Sequence, residues 1–130
     1  MAYYFLTASK DASIYLQQPN QNTGLDEILE VSKVFYGNVK DVSHALLKFD
    51  LGFLSQSLYN GTIGMSDARL LIKESQAEEI PLEYTIHANP ISGSWEMGIG
   101  TRFDAITTKG VNWNYREGDT KINWLENDFS

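Results

Sequence analysis

Four stretches of this chain alternate apolar and polar side chains with period two, and nothing else in it constrains the fold so strongly. A period of two is the spacing of a β-strand with one face buried, whereas a buried helix face needs a period near 3.6. In "ILEVSKVF" (28–35), Leu29, Val31 and Phe35 share a side with Lys33, and Ile28, Glu30, Ser32 and Val34 share the other. In "SHALLKFDL" (43–51), Ala45, Leu47, Phe49 and Leu51 oppose Leu46, Lys48 and Asp50. In "ARLLIKE" (68–74), Ala68, Leu70 and Ile72 oppose Arg69, Leu71 and Lys73. In "LEYTIHANPI" (82–91), Leu82, Tyr84, Ile86 and Ala88 oppose Glu83, Thr85, His87 and Asn89. Strands with a single apolar face belong to sheets that pack on one side only, which is the habit of antiparallel sheets.

Two further strands are expected near the start, "YYFLTA" (3–8) and "ASIYLQ" (12–17), the second with Ile14 and Leu16 facing away from Ser13 and Tyr15. Between these elements lie "QQPNQNTG", "YGNVKD", "YNGTIG", "NPISGS" and "YREGD", all rich in the residues that make turns and loops. Only "LGFLSQSLY" (51–59) and "LDEILE" (25–30) could form a helical turn. Many short strands separated by turns predict an all-β antiparallel fold, sandwich or barrel, in one domain over residues 1–130.

With 130 residues and 42% hydrophobic side chains, the chain can bury a core without disulfides, and it has no cysteine with which to make them. Ten Lys and Arg against seventeen Asp and Glu give a net charge of −7, which repels nucleic acid and anionic lipid. The longest apolar runs are a few residues, well short of a bilayer span, and "MAYYFLTASKD" has neither the basic region nor the apolar length of a signal peptide. The expected partners therefore exclude nucleic acid and membrane insertion.

Catalytic patterns are missing. "SGSWEMGIG" is rich in glycine but has no G-x-S-x-G, and Gly98 and Gly100 lack the third glycine of a dinucleotide loop and the lysine of a P-loop. His44 and His87 fall in expected strands, each opposite the apolar face and with no metal-binding spacing, so structural roles are expected. Asp26/Glu27 and Glu78/Glu79 are paired in sequence, but adjacent strand carboxylates point to opposite faces and those in turns face water, so two-carboxylate glycoside chemistry is not expected. The one cofactor with any chemical footing is a structural calcium held by Asp11, Asp26 or Asp50 with loop carbonyls. Asn60-Gly61-Thr62 is a formal glycosylation sequon of the kind that arises by chance.

Trp95, Trp113 and Trp124 are the candidate contact residues, because their faces suit a sugar ring or a protein partner. The competing expectation, which the sequence favours, is core or edge packing, because "SWEMGIG" and "GVNWNY" place Trp beside tight glycine turns where a large ring can cover the backbone.

Taken in order, "KDASIYLQQPNQNTGLDEILEV", "SHALLKFDL", "DARLLIKE", "YTIHANPISGSWEMGIG" and "GVNW" resemble the DNRLRE-type, disaggregatase-related β-sandwich family, from about Lys10 to Trp113. The resemblance implies a jelly-roll-like sandwich in which Pro19, Asn20, Asn22 and Gly24 form a structural connection. The loop's polar side chains would then satisfy its own backbone, Gly24 would take positive φ, Phe49 and Leu51 would be core, and Asp50 would hydrogen-bond a turn. Two positions depart from the family: Ser43-His44 stands where it has an arginine, and Asn112-Trp113 where it has Thr-Trp. The family's sandwich also needs strands beyond this region, supplied by a neighbouring subunit or by a longer polypeptide of which residues 1–130 are the first part.

The form of these motifs is similar to variants in structural proteins of tailed bacteriophages. It implies a non-enzymatic virion module for capsid decoration, neck, tail or fibre, assembled in the bacterial cytoplasm and docked to other virion proteins or repeated copies of itself. A carbohydrate-binding module that takes host surface glycans through exposed Trp residues is the alternative.

Overall fold

The computed structural model describes residues 3–64, 67–78, 80, 82–126 and 128. Among the described residues the strands form two small antiparallel sheets that do not close into a barrel, with one short helix, so the fold is all-β. Strands β1 (Lys10–Tyr15), β2 (Ser32–Tyr36) and β3 (Val39–Lys48) make the larger sheet in the order β1-β3-β2. After β3 comes helix α1 (Gly52–Tyr59), and strands β4 (Tyr115–Glu117) and β5 (Ile122–Asn123) form the second sheet.

The β2–β3 hairpin closes through Gly37 and Asn38, with Tyr36 paired to Val39. Gly37 has a φ of 62°, and a two-residue hairpin often needs positive φ at its first central position. Helix α1 forms where "LGFLSQSLY" was expected to make a helical turn, and Asp50 Oδ1 accepts a hydrogen bond from Gly52 N at 3.0 Å just ahead of it. "LDEILE" is not helical.

Ala12, Ile14, Leu46, Trp95 and Val111 are the buried apolar cluster, with Ile91, Met97, Trp113 and Trp124 packed around it. Ile14 lies on the face predicted for it. For β3 the predicted face is reversed: Leu46 is 2% exposed, whereas Ala45 and Leu47 are half-buried. "ALL" puts an apolar side chain on both faces, so alternation does not choose between them. Pairing with β1 does, because Ala12 stands opposite Leu46. Phe49 is half-buried, but Leu51 lies beyond the end of β3 at the start of α1 and is 53% exposed, so it is not core.

The strands expected at 3–8, 68–74 and 82–91 are not formed among the described residues. Residues 68–74 and 82–91 carry the alternation, but none of the three segments has a ladder partner, and a strand exists only where a neighbour takes its backbone N–H and C=O groups. Leu71 is 77% exposed and Leu82 105%, with Leu70, Ile72, Tyr84 and Ile86 also exposed.

Candidate functional site

The stretch "PNQNTG" begins the arrangement of the site, because its polar side chains are turned inward. Asn22 is fully buried. Its Nδ2 donates to Met97 O and Val111 O, each at 2.8 Å, and its Oδ1 accepts from Gly100 N at 2.8 Å and Gly24 N at 3.2 Å. Its backbone N donates to Thr107 O at 3.1 Å, and nearby Gln21 Nε2 donates to Thr101 O at 2.7 Å. A buried amide with both donors and its acceptor engaged fixes the groups around it.

The loop's side chains thus satisfy distant segments more than its own backbone, which corrects the expectation. Gly24 is also explained differently: it is not among the glycines with positive φ, but a Cβ there would lie 2.0 Å from Met97 O. At Gly98, with φ of 79°, a Cβ would lie 2.3 Å from Asn22 Oδ1. "MGIG" therefore wraps the Asn22 amide. Asn20 Oδ1 accepts from Asn114 Nδ2 at 2.9 Å and Pro19 O from Asn114 N at 3.2 Å, so all four residues of the predicted connection join this loop to the second half of the chain.

The same loop closes the outer edge of β1. Thr23 Oγ1 accepts from Ser13 N at 3.0 Å and donates to Ser13 O at 2.6 Å, doing for one residue what a neighbouring strand would do. Behind it, Ser13 Oγ accepts from Glu30 N at 2.9 Å, and Ser43 Oγ donates to Glu30 O at 3.1 Å. The Arg102 guanidinium pairs with Glu30 and lies 4.3 Å from the centre of the Tyr15 ring. Burial, reinforced by the Glu30 carboxylate, pushes the Tyr15 phenol above its ordinary pKa.

On the opposite face of the sheet a groove of about 750 Å³ opens beside the core. Its walls include His44, His87, Asn89, Trp113, Asn114 and Trp124 over a floor of Ile14 and Leu46. Trp113 is presented by a side-chain turn: buried Asn112 accepts from Asn114 N at 3.0 Å and from Tyr115 N at 2.8 Å. The Trp113 ring stacks on His44, with centroids 5.2 Å apart and planes 17° apart. Trp124 Nε1 donates to Asn112 O at 3.1 Å, which holds the second indole against the same turn. Desolvation, aided by nearby Lys40, lowers the His44 pKa.

Of the three candidate tryptophans, the structure brings Trp113 and Trp124 together at the groove. Trp95 is 6% exposed within the core, so it has little face to offer a ligand. The two histidines, read as structural, both line the groove, and period-two patterning gave no sign of it. The asparagines missed from the sequence, Asn112 and Asn114, carry the turn signal "VNWNY" but no chemical motif.

Among the described residues no three metal-capable side chains cluster, and Asp26 Oδ1 accepts from Arg102 N at 3.1 Å. Of the Glu78/Glu79 pair, Glu79 lies outside the described residues. Among the described residues no helix is long and apolar enough to cross a membrane. No family model, curated protein or solved structure matches the chain, so the family likeness rests on its quoted motifs alone.

Proposed function

We propose that the chain is a non-enzymatic structural module of a tailed-phage particle, a jelly-roll-like sandwich that docks onto other virion proteins through edge strands and loops. The observation that carries this reading is the alternating apolar sequence at 68–74 and 82–88, which has no ladder partner among the described residues and leaves Leu71 77% and Leu82 105% exposed. Exposed apolar side chains in such number mark contact sites, and an unpaired strand edge is a template for another chain. The order of sequence motifs supplies the particle context. Mass spectrometry of purified virions tests it: the chain should be present in stoichiometric amounts. A chain that is monomeric, fully folded and absent from particles would overturn the proposal.

A second reading, a carbohydrate-binding module, is favoured by one observation, the groove in which Trp113, Trp124 and His44 stand beside the amides of Asn89 and Asn114. Aromatic faces suit sugar CH groups, and planar amides suit sugar hydroxyls. On this reading a glycan array shows micromolar binding that Trp113→Ala abolishes. An array with no bound glycan would remove it.

A further inference from the structure

The two edges of the larger sheet are treated differently. Leu16 N donates to Val42 O, so the even-numbered backbone groups of β3 serve β1 and the odd-numbered ones serve β2. In β1 the outward groups of Ser13 are capped by Thr23. In β2 the same ladder geometry turns the N–H groups of Lys33 and Phe35 outward, and among the described residues nothing caps them.

Lys33 is the one charged residue of β2, and behind it on β3 Lys40 and Asp41 stand opposite Phe35 and Val34. Residues 74–90 hold four glutamates and no Lys or Arg. The acidic stretch includes 82–88, which has no ladder and is exposed throughout, with Leu82, Tyr84 and Ile86 alternating along it. Phe35 is likewise exposed, and it shares a face with Val42, the residue opposite Lys33.

We propose that the outer edge of β2 accepts residues 82–88 of a second copy of this chain as an added antiparallel strand. The added strand takes the free N–H groups of Lys33 and Phe35 and sets the apolar row of Leu82, Tyr84 and Ile86 beside Phe35. Donor and acceptor are different surfaces, so each copy offers one of each and the contact propagates head to tail. This inference rests on the particle-protein reading and names the partner and the edge.

The chain has no cysteine, which allows a clean cross-linking test. Phe35→Cys and Tyr84→Cys are made as separate variants, and the full chains are oxidised singly, mixed, and as the double variant. The expected result is a disulfide heterodimer in the mixture, several-fold above the homodimer of either variant alone, and a ladder of oligomers from the double variant. Phe35→Pro, which removes an outward N–H and leaves the hairpin ladder intact, should shift the sedimenting species towards monomer. A mixture with no excess of heterodimer, or a double variant that closes within one monomer, overturns the inference. If the cross-link fails while the chain is found in purified virions, the inference falls and the particle reading stands. If the cross-link forms and virions lack the chain, self-pairing stands and the particle reading falls.

Discussion

Thr23 and Ser13 exchange two hydrogen bonds through one hydroxyl, which takes the Ser13 N–H at 3.0 Å and gives its own proton to the Ser13 carbonyl at 2.6 Å. Ser13 and Thr23 are both buried, so no water replaces the hydroxyl if it is lost. We predict that Thr23→Val, similar in shape but apolar, destabilises the protein by about 1–3 kcal/mol, the cost of an unsatisfied buried group. Thr23→Ser should retain most of the stability. Urea unfolding monitored by tryptophan fluorescence measures both, and equal midpoints for Val and wild type would contradict the role of edge cap.

Asn22 should be the more sensitive position. Asn22→Ala leaves the carbonyls of Met97 and Val111 and the N–H of Gly100 without their partner, so a loss of about 3 kcal/mol or more is predicted. Asn22→Asp should not rescue it, because a carboxylate cannot donate to the two carbonyls. Thermal unfolding checks this, and a shift no larger than that of an exposed surface variant would refute the hub.

The tryptophans should separate by role. We predict that Trp95→Ala, a core truncation, costs about 3–5 kcal/mol. Trp113→Ala, at the half-buried groove wall, should cost roughly 1–2 kcal/mol. Similar losses from the two would show that the groove is part of the core.

Acid should act through Asp128. Its carboxylate accepts hydrogen bonds from Leu125 N and Ser92 Oγ and lies near Arg116, with the Leu125 bond the largest cause of a pKa below the ordinary 3.8. A carboxylate with a folded pKa below its unfolded value adds stability that is complete above the unfolded value and is lost as pH falls through the folded one. Asp128 should therefore hold Leu125 to the Ser92–Gly93 turn at neutral pH and release it only as pH falls below 3.8 through its lowered pKa. The pH dependence of unfolding should flatten in that range in Asp128→Asn, and an unchanged acid limb would argue against the clamp.

His44 predicts a second pH effect with the same sign. Its folded pKa lies below the ordinary 6.5, so the neutral ring favours the folded state. Its contribution is complete above that value and declines as pH falls from 6.5 towards the folded pKa. His44→Gln should remove the slope in this range, as read by the unfolding midpoint at a series of pH values.

Period-two patterning located β1 to within two residues, the second half of its 28–35 strand as β2, and β3 only from Ser43 to Lys48, since Val39–Asp41 lie in "YGNVKD", whose Gly and Asn read as a turn. At 68–74 and 82–91 the same signal says which side chains would share a face, but it cannot say whether a neighbouring strand is at hand. In β3 three consecutive apolar residues left the face undecided until Leu46 met Ala12. The candidate site was less legible. Asn22 looks like a loop residue because its partners, Met97 and Val111, lie 75 and 89 positions away, and period says nothing of contacts so distant. Trp113 and Trp124 were singled out by ring chemistry, while the His44 stack depends on a turn made by Asn112, which carries no motif.

Those long separations also set an order of events in synthesis. While residues 97–111 are still inside the ribosome, the first loop has emerged with its amide unanswered and β1 with a loosely guarded flank. Contacts between segments so far apart close slowly, and until they do an uncapped strand is open to the wrong neighbour. A nascent chain of this kind should gain from slow dilution or a holding chaperone until Val111 arrives.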